Sequence, residues 1–389
     1  MQNSLNETIL SPNIIRIGGG VVNETGEILS QLGLSKPLIV TDKNLCDLGH
    51  VDHLTNILAE GHINCSIFNE TIPEPTDICL SSALHLFKSK NFDCVIGFGG
   101  GSCLDVAKAV SAMAVSPGHV RDYKQPAQIN RSGVPIILIP TTGGTGSELT
   151  KWCVISDTIL NEKYNLSGLG LLATASIIDW KFTITKPPRI TADTAIDSLT
   201  HAIEAYISKR SSHLSDNLAL KALPLIAKNI CAAYKNPVDY LAREALMLGS
   251  SLAGMAFSNS SVALVHGMSR PIGAYFHIAH GLSNAMLLTE VTKFSIDFST
   301  DRYANCAVAA GWANSTDSKS VACEKLVRNL TMLTSNLEIP SPSSQGINKR
   351  RYFESLPSMA RQALESGSPE NNPRVPSSDE IIEIYKLIW

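Results

Sequence analysis

The stretch Phe92-Asp-Cys-Val-Ile-Gly97-Phe-Gly-Gly-Gly-Ser102-Cys-Leu-Asp105 decides the fold. Its first half is apolar and reads as a buried strand over 92–97. Three consecutive glycines follow, and a helical pattern then runs over 103–115. A strand that turns through glycines into a helix opens a crossover unit, and such units build parallel sheets. Glycines let a backbone approach a ligand closely, and the amides at a helix N-terminus favour phosphate. Ser102 is expected as the N-cap, with Asp105 at N3. An ordinary tight turn between strand and helix is the competing reading. The turn is neither a G-x-G-x-x-G fingerprint nor a Walker A loop.

Outward from this stretch the same alternation continues. Strands are expected at 36–41, 65–68 and 134–139. Helices are expected at 24–34, 51–60 and 77–90. Pro187-Pro188 marks a change of text. Beyond it the chain is rich in Ala, Leu and Ser, with 3.6-period patterns at 218–233 and 240–257, and 340–350 reads as a loop. The expected architecture is therefore an α/β domain with a parallel sheet over 1–186 and an all-helical domain over 187–389. The length of 389 residues fits two domains.

Hydrophobic residues make up 44% and charged residues 17%, so the chain can bury a large core and global disorder is excluded. A net charge of −3 gives no basic footprint for nucleic acid or for a membrane surface. The nine cysteines are odd in number, and no pair has C-x-x-C spacing. Scattered reduced thiols are expected rather than a disulfide scaffold or a zinc ribbon. The first residues, MQNSLNETILSPN, show neither a basic nor an apolar leader region, so a cytoplasmic location is expected.

Two more features fall at strand ends. Asp42 follows the strand over 36–41. A carboxylate there can hold the 2′-hydroxyl of an adenosine ribose and repel a 2′-phosphate, or it can simply be a turn residue. Ile139-Pro-Thr-Thr-Gly-Gly-Thr-Gly-Ser-Glu148 follows the strand over 134–139 and gathers small donors on a flexible backbone. That composition suits a loop wrapped around a cofactor.

A metal constellation lies in the second half. Asp197 and His201 are four apart, which puts them on one face of a helix. His266 and His280 are 14 apart, but Pro271 and Gly273 make an unbroken helix between them doubtful. Asp with three His is a donor set that suits Fe2+ or Zn2+. Histidines bonded locally within helices are the alternative for each pair taken singly.

With these motifs together, the chain resembles the iron-containing (group III) alcohol dehydrogenases. The resemblance rests on Val40-Thr-Asp42-Lys43, Gly99-Gly-Gly-Ser102 with Asp105, and Pro140-Thr-Thr-Gly-Gly-Thr-Gly-Ser-Glu148. It continues through Asp197-x-x-x-His201-Ala-Ile-Glu, His266-Gly-Met, His280-Gly-x-x-Asn284-Ala and Asn372-Pro-Arg374. It implies a metal-dependent, NAD(H)-linked enzyme acting on a small primary alcohol or aldehyde, working as a homodimer. Its metal ligands would be Asp197, His201, His266 and His280, with Fe2+ expected and Zn2+ as the alternative. Gly99, Gly100, Gly101 and Ser102, with Asp105, would cradle the pyrophosphate, and Asp42 the adenosine ribose. Thr141, Thr142 and Thr145 would line the cofactor, with Lys163 near its nicotinamide-ribose half.

Two positions depart from the family pattern. Arg270 stands where a histidine often helps to relay the alcohol proton, so His277 is the candidate replacement. Arg270 itself could pair with a carboxylate, sulfonate or phosphonate on the substrate, or with acidic groups of its own chain. Cys103 stands where proline is common. Rival readings are a polyol dehydrogenase of the glycerol type, a dehydroquinate synthase-like lyase and a metal-free scaffold relative.

Overall fold

A computed structural model describes residues 8–160 and 162–389. The chain divides into two compact units, Leu10–Thr185 and a second with Lys186–Trp389 as its body.

The first unit is α/β. Its strands are β1 (Ile14–Ile17), β2 (Pro37–Val40), β3 (Ser66–Phe68), β4 (Cys94–Gly99), β5 (Ile136–Pro140), β6 (Trp152–Asp157), β7 (Glu162–Ser167) and β8 (Ala175–Ile178). Its helices are α1 (Thr25–Gln31), α2 (Lys43–Asp47), α3 (His50–Glu60), α4 (Asp77–Ser89) and α5 (Gly101–Val115). Six strands form one sheet in the order β1-β8-β5-β4-β2-β3, and every pairing in it is parallel. A parallel sheet covered on both faces needs strands that are apolar throughout. Leu38, Ile39 and Val40 meet this need, each with no exposure. Leu38, Val40, Val95 and Leu138 face the side covered by α4, α5 and the β6–β7 hairpin. Ile39, Ile96, Ile137 and Ile139 face the side covered by α1 and α3.

The four strands expected from sequence are present. The structure adds β1, β8 and the antiparallel pair β6–β7. Of the two added sheet strands, β1 is interrupted by Arg16 and β8 opens on Ala-Ser, so neither reads as a buried apolar run. In β7 the polar text Glu-Lys-Tyr-Asn-Leu-Ser is sustained by its pairing with β6.

The second unit is helical among the described residues: α6 (Pro188–Ile207), α7 (His213–Lys235), α8 (Tyr240–Ser258), α9 (Leu264–Phe276), α10 (His280–Ser295), α11 (Thr300–Ala309), α12 (Lys319–Asn336), α13 (Lys349–Glu365) and α14 (Ser378–Leu387). Pro188 starts α6 at the one helical position where proline costs nothing. From Thr191 to Ile207 every residue of α6 except Thr194 is buried. A helix enclosed on all sides is the core element of its unit. No helix among the described residues is long and apolar enough to cross a membrane.

Candidate metal centre and dinucleotide site

The buried helix α6 carries Asp197, His201 and Glu204 at i, i+4 and i+7, one face of the helix. The helices α9 and α10 bring histidines to that face. The helical run after His266 ends at Phe276, and His277 takes the left-handed conformation at φ 56° as its C-cap. A new helix then begins at His280. The 266–280 interval is therefore a broken helix, and tertiary packing sets the direction of His280. Gly281 makes that packing possible, because a Cβ there would lie 2.5 Å from the carbonyl oxygen of Asp193 on α6.

Three imidazoles converge on one carboxylate oxygen. Asp197 Oδ1 lies 3.8 Å from His201 Nε2, 3.5 Å from His266 Nε2 and 3.8 Å from His280 Nε2. His201 stacks on His266 at 4.5 Å and on Phe257 at 4.3 Å between ring centroids. Burial alone would raise the Asp197 carboxyl. The charges of His201 and His280, with His266 bonded to it, hold it well below the usual carboxylate range. His266 shows the converse. Burial would lower it, but Glu204 and Asp197 push it up to about 8. Two carboxylates, Asp197 and Glu204, thus face the His266 ring.

Two residues of the centre had no role assigned from sequence. Glu204 accepts from the His266 Nδ1 side at 2.7 Å and from the amides of Ala263 at 2.8 Å and Val265 at 2.6 Å. It caps the N-terminus of α9, which has no side-chain cap of its own, and it fixes the tautomer that turns Nε2 toward the cluster. Asn284 donates from Nδ2 to Asp197 Oδ1 at 2.6 Å and lies 3.2 Å from Nε2 of both His266 and His280. Its own Oδ1 is buried without a partner. The signal for both was helical spacing, since Glu204 follows His201 by three and Asn284 follows His280 by four. A three-nitrogen, one-oxygen donor set with this supporting shell fits a divalent transition metal.

The other two residues expected at the chemistry, Arg270 on α9 and His277 between α9 and α10, touch none of the four ligands among the described residues. Arg270 sits one turn after His266 on α9, and its Nη1 donates to Ser368 Oγ at 3.1 Å. His277 is exposed. No hydrogen bond or ring contact ties it to the ligand set among the described residues.

Apart from Asp105 and Lys163, the dinucleotide candidates lie in the first unit at the carboxyl ends of β5, β4 and β2, which are neighbours in the sheet. That edge is where ligands bind in parallel sheets. Gly99 adopts φ 156°, and a Cβ there would lie 2.5 Å from Cys103 Sγ. A Cβ on Gly101 would meet Thr145 Cγ2 at 2.9 Å. The expected N-cap is corrected here. Gly100, not Ser102, caps α5, and no side chain bonds the cap. Ser102 is the second residue of the helix, so its amide stays in the open first turn. That arrangement suits an anion better than a filled cap.

Asp42 caps α2, accepting from the Leu45 amide at 2.9 Å, and Cys103 Sγ lies 3.4 Å from its second oxygen. The turn role and the ribose role are compatible, since a carboxylate has about four acceptor positions. The Thr141 amide donates to the Gly99 carbonyl at 2.9 Å, and Thr141 Oγ1 is buried without a partner. A Cβ on Gly100 would lie 3.8 Å from Thr142 Cγ2. Lys163, on β7, is ion-paired with Glu74.

Asp105 works inside the protein rather than on its surface. Its Oδ1 accepts from Ser147 Oγ at 2.9 Å and its Oδ2 from the Val154 amide at 2.9 Å. One turn on, the fully buried Lys108 reaches Ser147 O at 2.6 Å, Ser147 Oγ at 2.8 Å, Thr150 Oγ1 at 3.1 Å and Trp152 O at 2.8 Å. Burial pushes Asp105 up and Lys108 down, and each is pulled back by the charge of the other. The two clamp the segment after the threonine loop onto α5, the helix that starts at the glycine turn. Lys108→Met is expected to destabilise the fold by about 3–5 kcal/mol, because it strips a buried partner from several acceptors. In protein that remains folded, the KM for NADH should rise several-fold without change in metal content. Urea melts, NADH titration and elemental analysis check this.

Comparison with known proteins agrees with this geometry. Residues 12–180 match the family model described as "Iron-containing alcohol dehydrogenase". Residues 191–389 match "Fe-containing alcohol dehydrogenase family, C-terminal". The chain is 34% identical over 370 residues to the NAD-dependent methanol dehydrogenase of Bacillus methanolicus, covering 95% of this chain and 96% of that one. A crystal structure of 1,3-propanediol oxidoreductase superposes with a TM-score of 0.94 at 33% identity, over 99% of this chain and 100% of the other. Sulfoacetaldehyde reductase from Bifidobacterium kashiwanohense, solved in complex with NAD+, gives a TM-score of 0.89 at 25% identity over 99% of each chain.

Proposed function

The chain belongs to the iron-containing alcohol dehydrogenase family and is an NAD-dependent oxidoreductase, and on that premise we propose that it interconverts small primary alcohols and aldehydes. Asp197, His201, His266 and His280 hold Fe2+ in this reading, and Zn2+ satisfies the same donors. The observation that carries it is the approach of three histidine Nε2 atoms to within 3.5–3.8 Å of one Asp197 oxygen. The relatives named above act, by their names, on methanol, on propanediol and on a sulfonated aldehyde, so a small substrate is the class assigned.

When bound, the metal supplies Lewis acidity toward the substrate oxygen and the nicotinamide accepts or returns hydride. The chain's own residues do the rest. Glu204 holds His266 in one tautomer, and Asn284 holds Asp197 Oδ1 in place. The His280 side chain is 36% exposed against 6% for His201 and 4% for His266, so the substrate oxygen approaches on the His280 side. The proton leaves to solvent on that same side. Gly99–Ser102 and Thr141–Thr145 cradle the dinucleotide, with Asp42 on its adenosine ribose and Lys163 on its nicotinamide-ribose half. We further assign a homodimer and a cytoplasmic location, the latter because nine cysteines without C-x-x-C spacing suit a reducing compartment.

The cofactor assignment has a direct test. The wild type should reduce small aldehydes with NADH and discriminate strongly against NADPH. Asp42→Ser keeps a good N-cap for α2 but removes the charge that repels a 2′-phosphate. It should shift the NADPH/NADH ratio of kcat/KM by roughly 100-fold toward NADPH. An unchanged ratio removes Asp42 from the ribose site. No oxidation of NADH with any small aldehyde removes the assigned reaction.

A further inference from the structure

We propose that Arg270 is a substrate anchor, and that the physiological substrate carries an anionic group (carboxylate, sulfonate or phosphonate) a short distance from the carbon that reacts. This deepens the dehydrogenase reading and rests on it. Arg270 lies four residues after the ligand His266 on the same face of α9, so their Cβ atoms are roughly 5–6 Å apart. Its residue is partly exposed. A guanidinium has five N–H donors, and the described residues take one of them, at Ser368 Oγ.

The acidic group that acts on Arg270 electrostatically is Glu204. It is already committed, since its two oxygens receive the amides of Ala263 and Val265 and the His266 ring. No ion pair holds Arg270 among the described residues. Arg243, also without an ion pair among the described residues, is fully enclosed and bonded to the Pro237 carbonyl and Thr191 Oγ1, whereas the other partly buried arginines of this unit are paired. Arg189 pairs with Asp193, Arg302 with Asp216 and Arg374 with Glu380. Burial without an ion-pair partner draws the Arg270 guanidinium below its ordinary pKa. A cation in that position gains from an arriving anion.

The position is built rather than accidental. The turn that carries Ser368 is seated directly on α9. A Cβ at Gly267 would meet Pro369 Cδ at 2.9 Å, and only glycine permits that approach. Ser368 is 6% exposed, so its hydroxyl aims Nη1 and leaves the other guanidinium edge for a bidentate ligand. A substrate whose oxygen were held by a metal at His266 would need only a short chain to reach a side chain one helical turn further along α9.

The test uses the Fe2+-loaded enzyme with NADH. Acetaldehyde and propanal are compared with sulfoacetaldehyde, phosphonoacetaldehyde and 3-oxopropanoate. Wild type is compared with Arg270→Met and Arg270→Lys, each checked for metal content. The expected result is at least a tenfold preference of the wild type for one anionic aldehyde over its neutral analogue. In Arg270→Met this ratio should collapse toward unity, with partial recovery in Arg270→Lys. Which anion wins identifies the head group. A second arm does not depend on turnover: calorimetric binding of 2-hydroxyethanesulfonate and 3-hydroxypropanoate to the metal-loaded enzyme. At least one should bind to wild type and fail to bind to Arg270→Met. A wild type that turns over neutral aldehydes with no anionic preference overturns the proposal. So does binding of both anions that Arg270→Met leaves intact. Absence of all turnover, with Arg270-dependent binding retained, sinks the dehydrogenase reading but keeps the anion site.

Discussion

Asp197→Asn is expected to give a folded protein that retains no metal and has lost at least about a thousandfold in kcat. The reasoning is geometric. Asp197 Oδ1 is the single atom to which the three imidazole Nε2 atoms and the Asn284 amide all turn. It is also the only oxygen in the donor set. Asparagine keeps the volume and removes, from a residue only 2% exposed, the charge that would offset a divalent cation. Loss of Lewis acidity removes several kcal/mol of transition-state stabilisation, and each 1.36 kcal/mol is tenfold. Metal counted per chain, circular dichroism and steady-state kinetics on one preparation decide the matter. A variant that still holds one metal ion per chain would show that the ligand set is wrong.

The second large effect is expected at a residue that touches no substrate. Glu204→Gln should weaken metal affinity by about 10- to 100-fold, the usual cost of losing a partner behind a ligating histidine. It should also lower stability by about 2–4 kcal/mol. The Glu204 carboxylate serves three N–H donors at 2.6–2.8 Å. A glutamine would turn its NH2 toward at least one of them, leaving buried donors without acceptors. Two measurements separate the roles: a competitive chelator titration reads the metal, and chemical denaturation of metal-stripped protein reads the cap on α9. If both were unchanged, Glu204 would have neither role.

The parts of this account that were legible in the sequence share one property: they are local. The glycine turn announces itself because a strand, three glycines and a helix are contiguous. Asp197 and His201 announce themselves because four residues make a helical turn. Where the interval crossed a break, the reading stopped. From His266 to His280 the chain passes Pro271 and the left-handed His277, so no periodicity links the two rings. Glu204 was visible as a spacing, but its partners lie about sixty residues away at the start of α9. Lys108 looked like any helix lysine, and only the fold buries it against the segment after the threonine loop. The missed strands failed for a related reason. Ile14–Ile17 is interrupted by Arg16 and Ala175–Ile178 opens on Ala-Ser, so neither is a clear apolar run, and they exist because β5 and one another offer edges to pair with. The N-cap of α5 was misplaced because Ser102 looks like a cap, whereas the fold leaves that position to Gly100.

We propose that a single divalent metal at Asp197, His201, His266 and His280 serves the NAD(H)-linked dehydrogenase chemistry of this chain. The most direct test is an anaerobic titration of chelator-stripped protein with Fe2+, following NADH oxidation by a small aldehyde at each addition. Activity should start at background, rise linearly and stop at one equivalent per chain. Full activity in the stripped protein, or a rise that never reaches an end point, would contradict the account.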